Sequence, residues 1–398
     1  MPDIAHPPPM TRPAGLSVQS SLLIAVIGFL TLVDLFATQA ILPSLAEHYG
    51  VSPSQIGLAA NASTLGMAIS GLLVGVISGA VERKRAITIS LALLAVPTAL
   101  LSFAPDLTIF ALLRVTQGLF MAAAFTLTLA HLAERCAART AGALAAYVTG
   151  VVASNLVGRL TAAYVASLVG AEQSFLFFAL LNLCGAGLVA VALDRNAPQP
   201  MARKGSFWTG WAEQLSDGPL RRTFAIGFLI LFGFIGVFTY VGFVLMRPPH
   251  ALSMTALGLV FLVFLPSMFT TPLAGTMTGR VGPGIAASSS LALALLGLAL
   301  LLVPNLLSII TGLALVGVGT FFAQAVATGH VGRIARGDKV AASGLYLSSY
   351  YCGGLAGAAA IGFLFDGFGW TAAIGGVFVA LGLAAILALS LRPRKFDE

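Results

Sequence analysis

The chain has 398 residues, of which 58% are hydrophobic and only 9% are charged. A soluble domain carries about 25% charged residues because its surface faces water, so this composition excludes an ordinary soluble protein and indicates that lipid surrounds most of the chain. The formal charge of +7 is spread in small groups between apolar runs, which argues against a nucleic-acid-binding protein because such a protein needs a clustered basic face.

The first nineteen residues contain five prolines and are predicted to form a disordered tail. They lack the basic region and the small-residue cleavage site of a signal peptide. The apolar segment that follows is also longer than the core of a signal peptide, so we expect it to remain in the protein as a helix.

Apolar segments of membrane-spanning length follow one another along the chain. A helix needs about 20 mainly apolar residues to cross the hydrocarbon core with its backbone groups satisfied internally. Twelve spans are predicted, at 20–43, 56–80, 86–104, 107–132, 140–168, 173–193, 221–246, 254–279, 283–303, 306–332, 340–364 and 369–391. The sequence therefore predicts an all-α integral membrane protein with an N-terminal tail (1–19), an N-terminal six-helix bundle (20–193), a cytoplasmic linker (194–220), a C-terminal six-helix bundle (221–391) and a C-terminal tail (392–398).

Basic residues are distributed unequally between the loops. If the N-terminus lies in the cytoplasm, 18 of the 21 basic residues fall on the cytoplasmic side and Arg247 alone falls in a loop on the other. Cytoplasmic loops are enriched in Lys and Arg, and an error of one span would have scrambled this distribution. The sequence therefore predicts both termini in the cytoplasm.

Two segments about 200 residues apart share a pattern. Residues 52–58 and 253–259 each begin with serine and lead into a predicted span that ends in a Gly-x3-Gly pair before a short basic loop. Two six-helix halves of like orientation form the parallel-repeat architecture of secondary transporters, in which substrate binds between the halves near the midplane. Chance similarity between glycine-rich helices is the alternative.

Short motifs link the chain to a known family. In the fourth predicted span, residues 114–118 read Arg-Val-Thr-Gln-Gly, and the loop after the second span carries Gly75, Arg83 and Lys84 at the spacing of a GxLaDRxGRR motif. With these motifs the chain resembles the major facilitator superfamily, and the resemblance covers nearly the whole chain. The resemblance implies the twelve-helix fold of that family, with these loop residues acting in conformational change. Gly79 stands where the loop motif has its aspartate.

The second half carries a weaker copy of the loop motif, with Gly275, Gly279 and Arg280 but again without the acid. In the fifth predicted span, residues 155–159 read Asn-Leu-Val-Gly-Arg. Together with residues 345–351, this segment is similar to a bacterial branch of drug:proton antiporter-like proteins associated with acriflavine sensitivity. That resemblance implies a proton-coupled antiporter that exports small hydrophobic or amphipathic compounds across a bacterial cytoplasmic (inner) membrane.

Three ionisable residues fall well inside predicted spans: Asp34, Arg114 and Arg159. At about 1.5 Å per residue, each lies roughly 10–14 Å from the outer end of its span, so the three are predicted to share one layer. A charge in lipid costs a few kcal/mol or more and needs a partner or a water-filled cavity. Burial favours the protonated form of a carboxylate, whereas a nearby arginine favours the ionised form. We expect Asp34 to carry the coupling proton, with Arg114, Arg159 or both controlling its charge; a static buried salt bridge is the alternative.

Other polar side chains in the spans are predicted to contact substrate between the halves, or else to act as hydrogen-bonding links between helices. They are Thr38, Gln39, Asn61, Gln117, Asn155, Gln324, Tyr346, Tyr350 and Tyr351.

Motifs of enzymes and ATP-driven pumps do not occur in the sequence, which has no HExxH, no paired carboxylates in the spans and no GxxxxGK[ST] loop. No enzymatic activity, cofactor or metal is expected. The protein is expected to be a monomer. Its expected partners are a small-molecule substrate, protons and the lipid bilayer, and no nucleic acid is expected to bind. Two alternatives stay open: a carrier of an organic anion or sugar metabolite, which the two arginines would suit, and a channel or non-transporting receptor.

Overall fold

A computed structural model describes residues 18–77, 82–135, 140–193, 207–336 and 339–392. The predicted N-terminal tail, apart from its last two residues, lies outside these ranges, as do Gly79 and residues 393–398. The described residues form fourteen α-helices: α1 (Val18–Ala40), α2 (Leu42–Tyr49), α3 (Pro53–Ile77), α4 (Arg83–Leu100), α5 (Leu107–Arg135), α6 (Thr140–Val169), α7 (Ser174–Ala192), α8 (Phe207–Ser216), α9 (Gly218–Met246), α10 (Met254–Val260), α11 (Leu265–Thr270), α12 (Ala274–Leu300), α13 (Leu306–Ile334) and α14 (Lys339–Ala388).

Ten helical stretches in these ranges are long and apolar enough to cross a membrane. Two of them, Met254–Leu300 and Ala341–Ala388, contain 47 and 48 residues. Such a stretch would extend roughly 70 Å if straight, more than twice the ~30 Å hydrocarbon core. Each is interrupted by one glycine in the left-handed region, Gly282 with φ 83° and Gly369 with φ 82°. Because that conformation does not fit a continuous α-helix, each long stretch consists of two arms.

The chain folds back on itself at the second of these glycines. A Cβ atom added to Gly376 would lie 2.6 Å from Cδ1 of Leu364. Twelve residues separate the two positions, which would place them roughly 18 Å apart in a straight helix. The two arms of α14 therefore pack against each other.

The region predicted as one span at 254–279 is not one regular helix. It begins as α10, passes through a 3₁₀ turn at Phe261–Phe264 into α11, and reaches α12 through a second 3₁₀ turn at Thr271–Leu273. Pro266 lies in the first turn of α11, and Pro272 lies within the second 3₁₀ turn. Proline donates no backbone hydrogen bond and its ring displaces the preceding turn. The regular α-helical hydrogen bonding is therefore interrupted at both positions. Hydropathy alone does not reveal this change.

Two short helices were not predicted. α2 follows α1 directly and ends at Gly50, whose φ of 61° places it in the left-handed region. α8 lies in the described part of the predicted linker, where the Gln214 side chain donates a hydrogen bond of 2.7 Å to the carbonyl of Arg336.

The packing of the helices decides which side chains meet. In the first half α1 packs on α6, α3 on α5, and α4 on both α5 and α7; in the second half α9 packs on α14 and α12 on α13. The two sets meet mainly along α3 with α14 and along α6 with α10. Across the first of these contacts, the Ser348 hydroxyl donates to the Ala68 carbonyl at 2.7 Å. The arrangement brings the polar residues of α1 and α6 close to aromatic residues of α9 and of the 3₁₀ turn after α10.

Helices α3 and α5 approach each other at two glycines. A Cβ atom added to Gly118 would lie 1.9 Å from the carbonyl oxygen of Ser63, and one added to Gly66 would lie 1.9 Å from that of Val115. Small residues allow this backbone-to-backbone approach in membranes. The packing thus requires the glycine that ends the 114–118 motif.

We expect Gly118→Ala to lower the apparent melting temperature of the detergent-purified protein, because overpacking costs about 1–3 kcal/mol. The matched control is Gly187→Ala on α7, where nothing lies within 4 Å of the added Cβ. Equal melting temperatures for the two variants would contradict the close approach of α3 and α5.

Candidate functional site

The carboxylate of Asp34 lies in a polar group between α1, α4, α5 and α7, and Asp34 is 3% exposed. Its Oδ2 accepts hydrogen bonds from Nδ2 of Asn182 at 2.7 Å, Nε2 of Gln117 at 3.0 Å and the Thr98 hydroxyl at 3.1 Å. Within the described chain, Oδ1 is buried without a hydrogen-bond partner. Three donors therefore converge on one oxygen and none on the other.

The guanidinium of Arg114 completes this group. Nε donates to the carbonyl of Ala60 at 2.8 Å and Nη2 donates to the Ser63 hydroxyl at 3.1 Å. Nη1 donates to the side-chain oxygen of Gln117 and, at 3.4 Å, to the backbone carbonyl of Asp34. Every nitrogen of this buried side chain has a partner.

Gln117 connects the two opposite charges. In the described ranges no ion pair within 4.0 Å joins Arg114 to the Asp34 carboxylate directly. The Gln117 amide instead accepts from Arg114 through its oxygen and donates to Asp34 through its nitrogen. We call Asp34, Thr98, Arg114, Gln117 and Asn182 the aspartate group.

The structure does not bring Arg159 to the aspartate group. Arg159 lies on α6 and is 0% exposed; Nη1 donates to the side-chain and backbone oxygens of Asn155, and Nη2 donates to the side-chain oxygen of Gln39. Nε is buried and has no hydrogen-bond partner in the described chain. No carboxylate among the described residues lies within 4.0 Å of this guanidinium. The three charges predicted for one layer therefore belong to two separate groups.

Phenylalanine rings surround the Arg159 guanidinium. The ring centroids lie 4.6 to 5.9 Å from Cζ. Three of the five rings belong to Phe36, Phe234 and Phe238, and the other two to Phe261 and Phe264. We call these rings together with Gln39, Asn155 and Arg159 the arginine–phenylalanine cage.

Local helix geometry directs four of these rings. Phe234 and Phe238 are four residues apart on α9 and therefore share one face. Phe261 and Phe264 are three residues apart in a 3₁₀ turn, where side chains at i and i+3 eclipse, and their ring planes differ by only 4°. The proline-interrupted region thus places two rings on the same side, towards Arg159.

A chain of amides leads from the cage to the second half. Nε2 of Gln39 lies 3.5 Å from Oδ1 of Asn61. Nδ2 of Asn61 donates to the carbonyl of Gly57 at 2.8 Å and to the Thr239 hydroxyl of α9 at 3.1 Å. Of the predicted substrate contacts, Gln39, Asn61 and Asn155 therefore lie around the cage, whereas Gln117 belongs to the aspartate group. Thr38 lies beside that group, with its hydroxyl 3.4 Å from the Asp34 carbonyl.

The predicted contacts of the second half form a separate cluster. The Tyr346 hydroxyl donates to Oε1 of Gln324 at 2.7 Å. The Tyr350 ring lies 6.3 Å from that of Tyr346 and 5.4 Å from that of Tyr351. No hydrogen bond between described residues joins this cluster to the aspartate group or the cage.

Residues of the predicted loop motif lie at helix ends. Arg83 and Lys84 begin α4, and Gly75 lies near the end of α3. In the second copy, nothing lies within 4 Å of a Cβ added to Gly275 or Gly279. Arg280 is exposed and stands two residues before the break at Gly282.

Thr98, Asn182 and the five rings were missed by the sequence analysis. Asn182 carried a signal, because it is the single amide in the apolar segment of α7 and a polar group in lipid needs a partner. Thr98 carried none, since a threonine hydroxyl can bond to its own helix; the single hydroxyl proton of Thr98 is shared between the Leu94 carbonyl at 2.7 Å and Asp34 at 3.1 Å. Phenylalanine is ordinary in a spanning helix, so the rings were not distinguishable by type.

Comparison with known proteins agrees with the fold. The sequence model of the Major Facilitator Superfamily matches residues 24–264. The uncharacterised MFS-type transporter YybF of Bacillus subtilis (strain 168) is 27% identical over 380 residues, 93% of this chain and 94% of its own. The inner membrane transport protein YnfM of Escherichia coli (strain K12) is 28% identical over 368 residues, 92% of this chain and 88% of its own.

Solved structures show the same architecture. A bacterial homologue of the human lysosomal transporter Spinster, in an inward-facing and unoccupied conformation, superposes with a TM-score of 0.74 at 14% identity, covering 94% of this chain and 97% of that one. The nucleoside transporter NupG gives a TM-score of 0.73 at 15% identity, covering 94% and 98%. At these identities the likeness concerns the fold alone.

We expect Asn182→Leu to lower the melting temperature of the purified protein, because it removes a buried donor from an ionised Asp34, a loss of about 1–3 kcal/mol. In an Asp34→Asn background the same substitution should cost clearly less, since no charge is then left with a missing donor. An equal cost in both backgrounds would contradict the hydrogen bond between Asn182 and an ionised carboxylate.

Proposed function

The chain belongs to the major facilitator superfamily, and from that premise we propose a proton-coupled antiporter that exports small hydrophobic or amphipathic compounds by alternating access. Membership of this family and similarity to its transporter relatives show that the protein is a multi-pass membrane transporter and not an enzyme. Proton coupling, export and the kind of compound are the proposal.

The proposed topology has twelve spans with both termini in the cytoplasm. Eight single stretches and two stretches counted twice, because of the breaks at Gly282 and Gly369, give twelve spans. The excess of basic residues in alternate loops supports the orientation. Two six-helix halves, at 20–193 and 221–391, follow from this count. The YnfM relative, named as an inner membrane protein, supports the bacterial inner membrane as the location.

The aspartate group is the observation that carries the proton-coupling proposal. Asp34 holds a carboxylate in the membrane interior, where an ion costs several kcal/mol unless it is compensated. Three donors on Oδ2 stabilise the ionised form, and Oδ1, which has no donor in the described chain, is the atom on which we place the proton. Protonation would remove the charge opposite Arg114 and weaken the bridge through Gln117. A proton at this position would therefore change how α1, α4, α5 and α7 hold together.

Substrate is proposed to bind between the halves, where the second half contributes aromatic and amide groups. Asn61 supports this location because it hydrogen-bonds across to Thr239. The tyrosine cluster with Gln324 offers a second polar and aromatic surface. The alternative, a proton-coupled carrier of an organic anion or sugar metabolite, is favoured by one observation, the uncompensated charge of Arg159.

We expect Asp34→Asn to abolish substrate-driven proton movement in proteoliposomes, because asparagine cannot carry the proton. The measurement follows the pH inside the vesicles with entrapped pyranine while tetraphenylphosphonium, 2-naphthamide and 2-naphthoate are added in turn. At least one compound should move protons through the wild-type protein and none through the variant.

Asp106→Asn is the matched control for this experiment. Asp106 lies at the start of α5, where its side chain accepts from the backbone N–H of Ile109 at 2.9 Å, and asparagine caps helices about as well. The control should retain the wild-type response. Retained proton movement with Asp34→Asn, or none with any compound in the wild type, would sink the coupling proposal.

A further inference from the structure

We propose that the arginine–phenylalanine cage binds the anionic group of the transported compound, so that the substrates are amphipathic anions with a carboxylate on a flat apolar body. The inference rests on the proposed transport function and names its substrate class.

Arg114 and Arg159 are equally buried but differently compensated. Arg114 has a hydrogen-bond partner on every nitrogen and has the charge of Asp34 within electrostatic range. Arg159 has neutral amide and carbonyl acceptors only, and no carboxylate of the described chain within 4.0 Å. A charge inside a membrane is expensive and marks a substrate or ion pathway. Arg159 therefore lacks the negatively charged neighbour that Arg114 has in Asp34.

The free edge of Arg159 has the geometry of a carboxylate receptor. Both hydrogen bonds to Asn155 are made by Nη1. The other edge consists of Nε, which has no partner in the described residues, and Nη2, which is held by the neutral amide of Gln39. Two parallel N–H groups on one edge of a guanidinium accept a carboxylate through two hydrogen bonds, and bonds to an ionised acceptor are stronger than bonds to an amide. A carboxylate can therefore replace Gln39 on Nη2 and satisfy Nε as well.

The rings of the cage account for the apolar body of the substrate. The rings hold the guanidinium by cation–π contacts, which only partly replace a counter-ion. An aromatic body attached to the carboxylate would lie against the same rings in offset or edge-to-face contact. A small inorganic anion would gain nothing from them.

The cage is built from both halves of the protein. Arg159 and Phe36 lie on α6 and α1, whereas Phe234, Phe238, Phe261 and Phe264 lie on α9 and in the turn after α10. Separation of the halves therefore removes four rings from the guanidinium and exposes its free edge. Neutralisation of Arg159 by a bound anion favours closure of the halves around it, because the charge is then no longer buried alone.

The test is equilibrium binding to the full-length protein in nanodiscs, without any pH gradient. The probes are 2-naphthoate and 2-naphthamide, which share the same apolar body and differ in charge. We expect the wild type to bind 2-naphthoate roughly tenfold or more tightly than 2-naphthamide, because only the carboxylate forms a buried charge pair with Arg159. Calorimetric titration measures both affinities.

Gln39→Glu is the decisive variant because it is nearly isosteric and places a carboxylate on Nη2 of Arg159. It should raise the melting temperature and abolish the preference for 2-naphthoate, since the new carboxylate then compensates the charge of Arg159. Arg159→Gln should abolish the same preference. Arg221→Gln, at an exposed arginine near the start of α9, should retain the preference.

Equal affinities for the two probes in the wild type, or a preference that survives Gln39→Glu, would overturn the proposal, as would no binding of 2-naphthoate. A purely structural Arg159 would give variants with altered stability but no change in charge preference. The assay contains no gradient, so proton coupling through Asp34 can fail while anion binding succeeds, and the reverse.

Discussion

Charge that no water reaches must be compensated by neighbouring groups, and the bridge from Asp34 through Gln117 to Arg114 provides this compensation in the first half. The bridge draws on four helices, because Thr98 comes from α4 and Asn182 from α7. A single glutamine amide, with one donor end and one acceptor end, stabilises both charges without bringing them into direct contact. A change in the charge of Asp34 therefore alters hydrogen bonds made by α1, α4, α5 and α7.

The same bridge explains why the 114–118 motif acts as a unit. Arg114 and Gln117 are three residues apart and lie on one face of α5. Gly118, next in the chain, lets α5 touch α3 backbone to backbone, which brings the Ala60 carbonyl and the Ser63 hydroxyl within reach of Arg114. The motif thus joins a close helix contact to the solvation of a buried arginine by protein groups.

The two halves contribute different chemistry to their interface. The first half supplies the guanidinium of Arg159 with the amides of Gln39 and Asn155, and the second supplies aromatic rings in the cage and tyrosines with one amide at Gln324. The change from α-helix to 3₁₀ turn after α10 matters here, because it aligns Phe261 with Phe264. A regular helix would place residues three apart about 60° away from each other around its axis, so one ring would turn from Arg159.

The sequence alone determined the membrane class, the family and the three charges inside the predicted spans, because hydropathy, short motifs and the rarity of charge in lipid are local properties of the chain. It also placed Gln117 beside Arg114 and Asn155 beside Arg159, since these pairs are one turn apart on one helix. It did not reveal that Asp34 and Arg159 have different partners, nor that Thr98, Asn182 and five phenylalanines surround them. Depth along a helix can be counted from the sequence, but the direction in which a side chain points around the helix depends on which neighbours pack there. Only the tertiary structure decided that one arginine is compensated within the protein and the other is not.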